Sequence, residues 1–142
     1  MEQINTVIFY SIEKAIKSYR RMAQKELKKN GVNITVDQWL TLSALNNNPE
    51  ISQKTLAELV FKDNASVTRI IHLLIKSGYL KSTTHGSDGR RSKFKITSKG
   101  TSLLKKAIAV VKKYRAKALG NLSPNELNAT RRVMETIIKN SR

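Results

Sequence analysis

Apolar residues recur at a helical period over residues 5–29. Val7, Ile8, Ile12, Ala15, Ile16, Tyr19, Met22, Ala23 and Leu27 form one stripe, and Gly31 follows as a C-terminal stop. Lys14, Lys17, Arg20, Arg21, Lys25 and Lys28 take the other faces. Thr35-Val-Asp-Gln38 has the pattern of a capping box and opens a short helix through Trp39, Leu40, Leu42 and Leu45, which residues 46–49 break. Ser52 is the next cap, and Leu56, Leu59 and Val60 are expected to share one face of a helix of about two to three turns. Residues 61–63 read as a tight turn. Asp63 or Asn64 then caps a helix that runs to about Ser77 and stops at Gly78. Two helices joined by so short a turn must pack at a steep angle, which is the helix-turn-helix arrangement.

The period then changes. Residues 79–84 are β-branched and extended, and residues 85–89 are dense in turn formers. Residues 91–97 alternate, with Ser92, Phe94 and Ile96 on one face and Lys93, Lys95 and Thr97 on the other. A hairpin with one apolar and one basic side is expected. Thr97 or Ser98 opens a long helix carrying Leu103, Leu104, Ala107, Ile108, Val111, Tyr114 and Ala118, and Gly120 stops it. Ser123, Pro124 and Glu126 supply an N-cap, a proline at the first helical position and the third-position glutamate of a capping box. The last helix carries Leu127, Val133, Met134, Ile137 and Ile138. Both prolines fall at element boundaries, which agrees with this parsing.

Composition narrows the class. A chain of 142 residues with 39% hydrophobic content fits one folded domain. The absence of cysteine excludes a disulfide framework, a thiolate zinc site, an iron–sulfur cluster and any thiol switch. The short run at residues 7–10 is too brief for a secretory or membrane segment, so a cytoplasmic protein with no membrane partner is expected. Charge changes the picture most, with 27 Lys plus Arg against 10 Asp plus Glu, a formal +17. Residues 1–50 hold seven basic and five acidic side chains, and residues 118–142 hold four and two. Residues 51–117 hold sixteen and three. The positive charge therefore lies on a periodic, folded block and not on a tail, which favours binding to phosphate backbones.

Within that block, the helix from Asn64 turns Val67, Ile70, Ile71 and Leu74 inward. Ala65, Thr68, Arg69, His72 and Lys76 fall on the opposite arc, with Asn64 and Ser66 at its amino-terminal edges. Short side chains allow close approach to base edges, Arg can bond guanine twice, and Ala can meet a thymine methyl. The helix amino terminus also attracts phosphate. No acidic residue occurs from 64 to 87, whereas a face selected only for solubility mixes signs. The hairpin tip adds Asp88, Arg90 and Arg91, followed by Lys93 and Lys95. A guanidinium on a projecting loop suits the narrow minor groove, and Asp88 can orient Arg90 through a carboxylate–guanidinium pair or simply cap the turn.

Leu56-Ala-Glu-Leu, Asn64-Ala-Ser-Val-Thr-Arg-Ile-Ile, Ser77-Gly-Tyr-Leu, Asp88-Gly-Arg-Arg and Ile96-Thr-Ser-Lys-Gly100 together resemble the MarR family of winged helix-turn-helix transcriptional regulators. The likeness runs over nearly the whole chain, and its most specific part is the Asp-x-Arg wing followed by a strand and a Thr-x-x-Gly helix start. It implies a mainly α fold with a small β-hairpin wing in one domain, residues 1–142. Residues 35–98 would be the winged DNA-binding part, and 1–31 with 99–142 a helical dimerisation layer. It implies a homodimer on a pseudo-palindrome of double-stranded DNA. Ser66, Thr68 and Arg69 would then be major-groove contacts, and Arg90, oriented by Asp88, the minor-groove probe. Gln53 and Lys54 match positions near the backbone. The family also implies a small aromatic or phenolic effector bound between the dimer layer and the winged part. The apolar stripes of the terminal helices exceed what a small winged core can cover, which independently calls for a partner copy or a second layer.

Other classes find less support. His72 and His85 sit on different elements without Cys or clustered carboxylates, so no metal site, cofactor or enzyme activity is expected. Gly86-Ser-Asp-Gly89 matches a GxxG clamp, but that clamp joins two helices and this one joins two predicted strands. Trp39 and Tyr114 read as core. The alternatives carried forward are a nonspecific, architectural nucleic-acid protein and a module binding an acidic protein.

Overall fold

A computed structural model describes residues 1–83 and 93–142. A single 3₁₀ turn, Ile4–Thr6, leads into α1 (Ile8–Lys29), α2 (Val36–Asn47), α3 (Gln53–Leu59) and α4 (Asn64–Lys76). Strands β1 (Leu80–Thr83) and β2 (Lys93–Ile96) follow, then α5 (Ser98–Leu119) and α6 (Pro124–Asn140). The strands pair antiparallel with Leu80 opposite Ile96 and Thr83 opposite Lys93. The fold is thus mainly helical with a small hairpin. Among the described residues, no helix is long and apolar enough to cross a membrane.

Every helix after α1 starts where its capping chemistry dictates, whereas α1 opens at Val7 with no side-chain cap. Thr35 with Gln38 and Ser123 with Glu126 form full capping boxes, and the Ser52, Asp63 and Thr97 side chains accept from the backbone three residues on. Helix α4 ends at Gly78, whose φ of 82° is left-handed. Helix α3 ends in the same hydrogen-bond pattern, Phe61 N–H to Glu58 O and Lys62 N–H to Ala57 O, but with Phe61 at φ 60° where glycine is usual. No glycine announces this stop in the sequence.

The core is built from α2, α3, α4, β1 and α5, closed by the last turns of α1. Leu27, Leu42, Leu56, Val67, Ile71, Leu74, Leu80 and Ala107 are all at 2% exposure or less. Trp39 and Tyr114 are buried as expected, and Tyr19 meets Tyr114 edge to face with centroids 5.6 Å apart. Leu59, expected to face inward, is 57% exposed. The inward arc of this seven-residue helix is Leu56, Ala57 and Val60, and Leu59 lies a full 100° step back from Val60.

Polar ties set the order of the helices. Asp37 accepts from Arg20 at 2.5 Å and from Lys62 at 3.2 Å, joining α1, α2 and the α3–α4 turn. Gln24 donates to Ile34 O and accepts from Val36 N–H, fixing the entry to α2. Thr97 N–H donates to Tyr79 O at 3.1 Å, so α5 begins beside the root of the hairpin. Gly100 permits that approach, since a Cβ there would lie 2.3 Å from Tyr79 O.

Candidate nucleic-acid interface

The exposed face of α4 begins at a cap with a strong charge of its own. The Asp63 carboxylate accepts from Ser66 N–H at 2.7 Å, and this bond, with the Ser66 hydroxyl, holds its pKa below the ordinary aspartate value. A fixed anion therefore already occupies the positive end of the helix, which offsets the phosphate attraction expected there. The exposed candidate surface lies further along. Asn64, Ala65, Thr68, Arg69 and His72 are exposed, and Ser66 is half-buried at their edge.

Two of these side chains are held in place before any ligand arrives. Thr68 donates to Asn64 O at 2.9 Å and accepts from Gln53 Nε2 at 2.7 Å. Gln53, from the first position of α3, is thereby brought onto the exposed face of α4. At the next residue, Arg69 Nη2 donates to the Ser66 hydroxyl at 3.1 Å, one turn back. This restrains the guanidinium near the helix amino end while leaving its remaining donors unused by that bond. Lys54 stands exposed beside Gln53.

On the hairpin, Lys81 and Lys95 sit directly opposite each other and both are exposed. Like charges at facing positions destabilise a two-stranded ladder, so this pair is an electrostatic cost that an anion would relieve. Lys93 is exposed on the same face, but its ammonium meets Glu50 Oε2 at 2.8 Å. Asp88, Arg90 and Arg91, expected at the hairpin tip, lie outside the described residues, as does His85.

Two contributors escaped the sequence pattern. Leu73 is 51% exposed on the α4 face, one turn after Arg69, where an apolar side chain suits a thymine methyl. Its leucine identity hid it, although its angle on the helix places it within 100° of Ala65. The facing of Lys81 and Lys95 depended on strand register, which residue types alone do not give. Among the described residues, no group of three or more His, Cys, Asp or Glu is placed to hold a metal ion.

The MarR family model matches residues 31–91, from the end of α1 into the hairpin. This segment matches the MarR family and is built as a winged helix-turn-helix. The fold extends the likeness over the remaining helices. A mutant MarR from E. coli complexed with operator DNA superposes with a TM-score of 0.83 at 18% identity, over 96% of this chain and 99% of that one. PcaV from Streptomyces coelicolor, solved with its natural ligand, gives 0.82 at 17% identity, covering 100% and 99%. Bordetella bronchiseptica BpsR, whose DNA binding is regulated by 6-hydroxynicotinic acid, gives 0.81 at 18%, covering 92% and 97%. At such identities the likeness is one of fold. In that fold, α4 takes the place of the second helix of the helix-turn-helix and the β1–β2 hairpin that of the wing.

Proposed function

We propose that the protein is a sequence-specific DNA-binding transcriptional regulator, acting as a repressor and as a homodimer on a pseudo-palindromic operator. Residues 35–98 would meet the DNA, with α4 in the major groove and the wing, including Arg90 oriented by Asp88, at the minor groove. The observation that carries this reading is the preset α4 face, where Gln53 holds Thr68 and Ser66 holds Arg69 on a surface without a carboxylate between Asn64 and the wing tip. Site selection from random duplexes with the purified protein tests it. A motif with two half-sites about 10 bp apart is expected, and Arg69→Ala should relax base choice at one position by about 1–3 kcal/mol. Tight binding with no enriched motif would instead establish the architectural reading.

The dimer part of the proposal draws on apolar surface that the single chain leaves open. Helix α6 buries none of its residues, so its stripe does not fold back on its own chain. Ile8, Phe9 and Ile16 of α1 and Val133 and Ile138 of α6 are all about half exposed. Exposed apolar stripes of this kind favour interaction surfaces, and a two-fold copy would satisfy both helices at once. Sedimentation at micromolar concentration should give twice the chain mass, and Ile138→Asp should shift it toward monomer.

An effector also belongs to the reading. A crevice of about 620 Å³ lies beneath the wing, between Leu45, Phe94 and Ile96 with Lys81 and Lys95 at its edge. That size suits a small ligand, whereas the crevice between α1 and the start of α2 holds only about 250 Å³. A small aromatic carboxylate entering the wing crevice would release operator DNA. Titration of such acids against an operator complex, repeated with Lys95→Ala, tests this.

A further inference from the structure

Helix α5 carries seven basic side chains and no acidic one, and no Asp or Glu occurs between residues 89 and 125. Lys99, Lys106 and Lys113 follow at seven-residue steps, and Lys117 lies four further on. At 100° per residue they stay within an arc of about 40°, with successive spacings of roughly 10, 10 and 6 Å along the axis. Leu104, Ala107, Val111 and Tyr114 bury the face beside them, so the row is a true edge of the helix and not a product of composition. All four lysines are exposed.

The row is continuous with the recognition helix. Lys99 Nζ donates to Ser77 O at 2.8 Å, one residue past Lys76 at the end of α4, and stands 5.1 Å from the Tyr79 ring centroid. Lys106 Nζ reaches Gly31 O at 3.5 Å, beside Lys28 and Lys29 at the end of α1. Among the described residues, no ion pair involves any cation of α5. The chain does use charge pairing elsewhere, as Glu13 and Lys17 show on α1. Lys113 and Lys117, four apart, repel each other, and nothing on their helix relieves it.

From Lys99, the axis carries Lys113 about 21 Å and Lys117 about 27 Å away from the recognition helix. A duplex seated on α4 does not account for cations that far along. We propose that this row is a second DNA-binding track, which holds the phosphates of a duplex segment other than the one α4 reads. Regularly spaced lysines with no base-reading neighbours give salt-dependent, sequence-independent binding.

The test uses the full chain, a biotinylated duplex, and a second, fluorescent duplex of unrelated sequence. Wild-type protein should retain the fluorescent duplex on streptavidin at 50 mM KCl and lose it by 200 mM. Lys113→Glu with Lys117→Glu should cut that retention at least tenfold, while thermal melting stays unchanged or rises and affinity for the first duplex changes less than threefold. The salt slope for the second duplex should fall by up to about 2. Arg69→Ala should alter binding of the first duplex, while the loss of second-duplex affinity caused by the Lys113 and Lys117 substitutions, measured directly in solution, stays the same in that background, which separates this track from the α4 reading. Absence of retention at 50 mM KCl would overturn the proposal. So would retention insensitive to the double substitution, or displacement of the DNA by equimolar polyglutamate.

Discussion

Gln53 Nε2 donates to Thr68 Oγ1 at 2.7 Å across fifteen residues of sequence, and the same nitrogen lies 3.4 Å from Asn64 O. The two helices of the helix-turn-helix are therefore joined by a polar clasp on the surface proposed to face the bases. Thr68 has its hydroxyl hydrogen committed to Asn64 O, so it offers Gln53 only an acceptor.

Gln53→Ala should leave stability nearly unchanged, because the clasp is exposed and one such bond nets only about 0.5–1.5 kcal/mol. Affinity for a selected operator should fall about 3–10-fold, and Thr68→Val should fall by a similar factor. The double variant should be no worse than either single one, since both break one unit. Additive losses in a binding titration would show that each residue contacts DNA independently.

The Lys81–Lys95 pair sets stability against binding. Lys95→Glu converts a facing repulsion into an attraction and should stabilise the hairpin by about 0.5–1 kcal/mol. The same change places an anion on the face proposed to meet DNA and should weaken duplex binding severalfold, most at low salt. Thermal melting and a salt-resolved binding assay check the two signs together. A variant that is both less stable and unaffected in binding would contradict the assignment of this face.

Much of this was legible because caps and periodicity are local. Thr35, Ser52, Asp63, Thr97 and Ser123 each start a helix where their short side chains can accept from the chain itself. Exposure was harder to read. Leu59 and Leu73 were hidden because a leucine suggests the core, while their angles depend on which neighbours actually bury. The Schellman-like stop at Phe61 lacked its glycine, and the Gln53–Thr68 bond depends on how α3 crosses α4. The Asp63 anion at the head of α4 was visible as a cap, but its effect on phosphate binding emerged only with the Ser66 bond in place.

Alkaline titration should expose the α1–α5 contact. Burial, and secondarily Tyr19, push the Tyr114 hydroxyl up to about 12, with Arg115 pulling the other way. Below pH 10 the folded and unfolded chains both keep this proton, and the packing contributes in full. Between pH 10 and about 12 only the unfolded chain releases it, so stability falls by about 2–3 kcal/mol over the window. Urea denaturation at pH 9, 10 and 11 should show this slope, and Tyr114→Phe should flatten it relative to wild type. Equal slopes in the two proteins would remove Tyr114 as the source.

Gly100 offers the sharpest steric prediction. It sits in the first turn of α5, and an added Cβ would come 2.3 Å from Tyr79 O and 2.8 Å from Ile96 Cγ2. The nearer atom is backbone, so the helix start must move away from the hairpin root. That movement strains the Thr97 N–H bond to Tyr79 O and the Thr97 hydroxyl bond to Gly78 O. Alanine recovers about 0.5–1 kcal/mol of helix preference, against about 1–3 kcal/mol for overpacking. Gly100→Ala should therefore destabilise by about 1–2 kcal/mol, read as a lower urea midpoint at unchanged slope. Since the same contact sets the hairpin against α4, duplex affinity should drop with it. A variant as stable as wild type would mean that the root of the wing yields freely, and that its position relative to the recognition helix is not fixed by this contact.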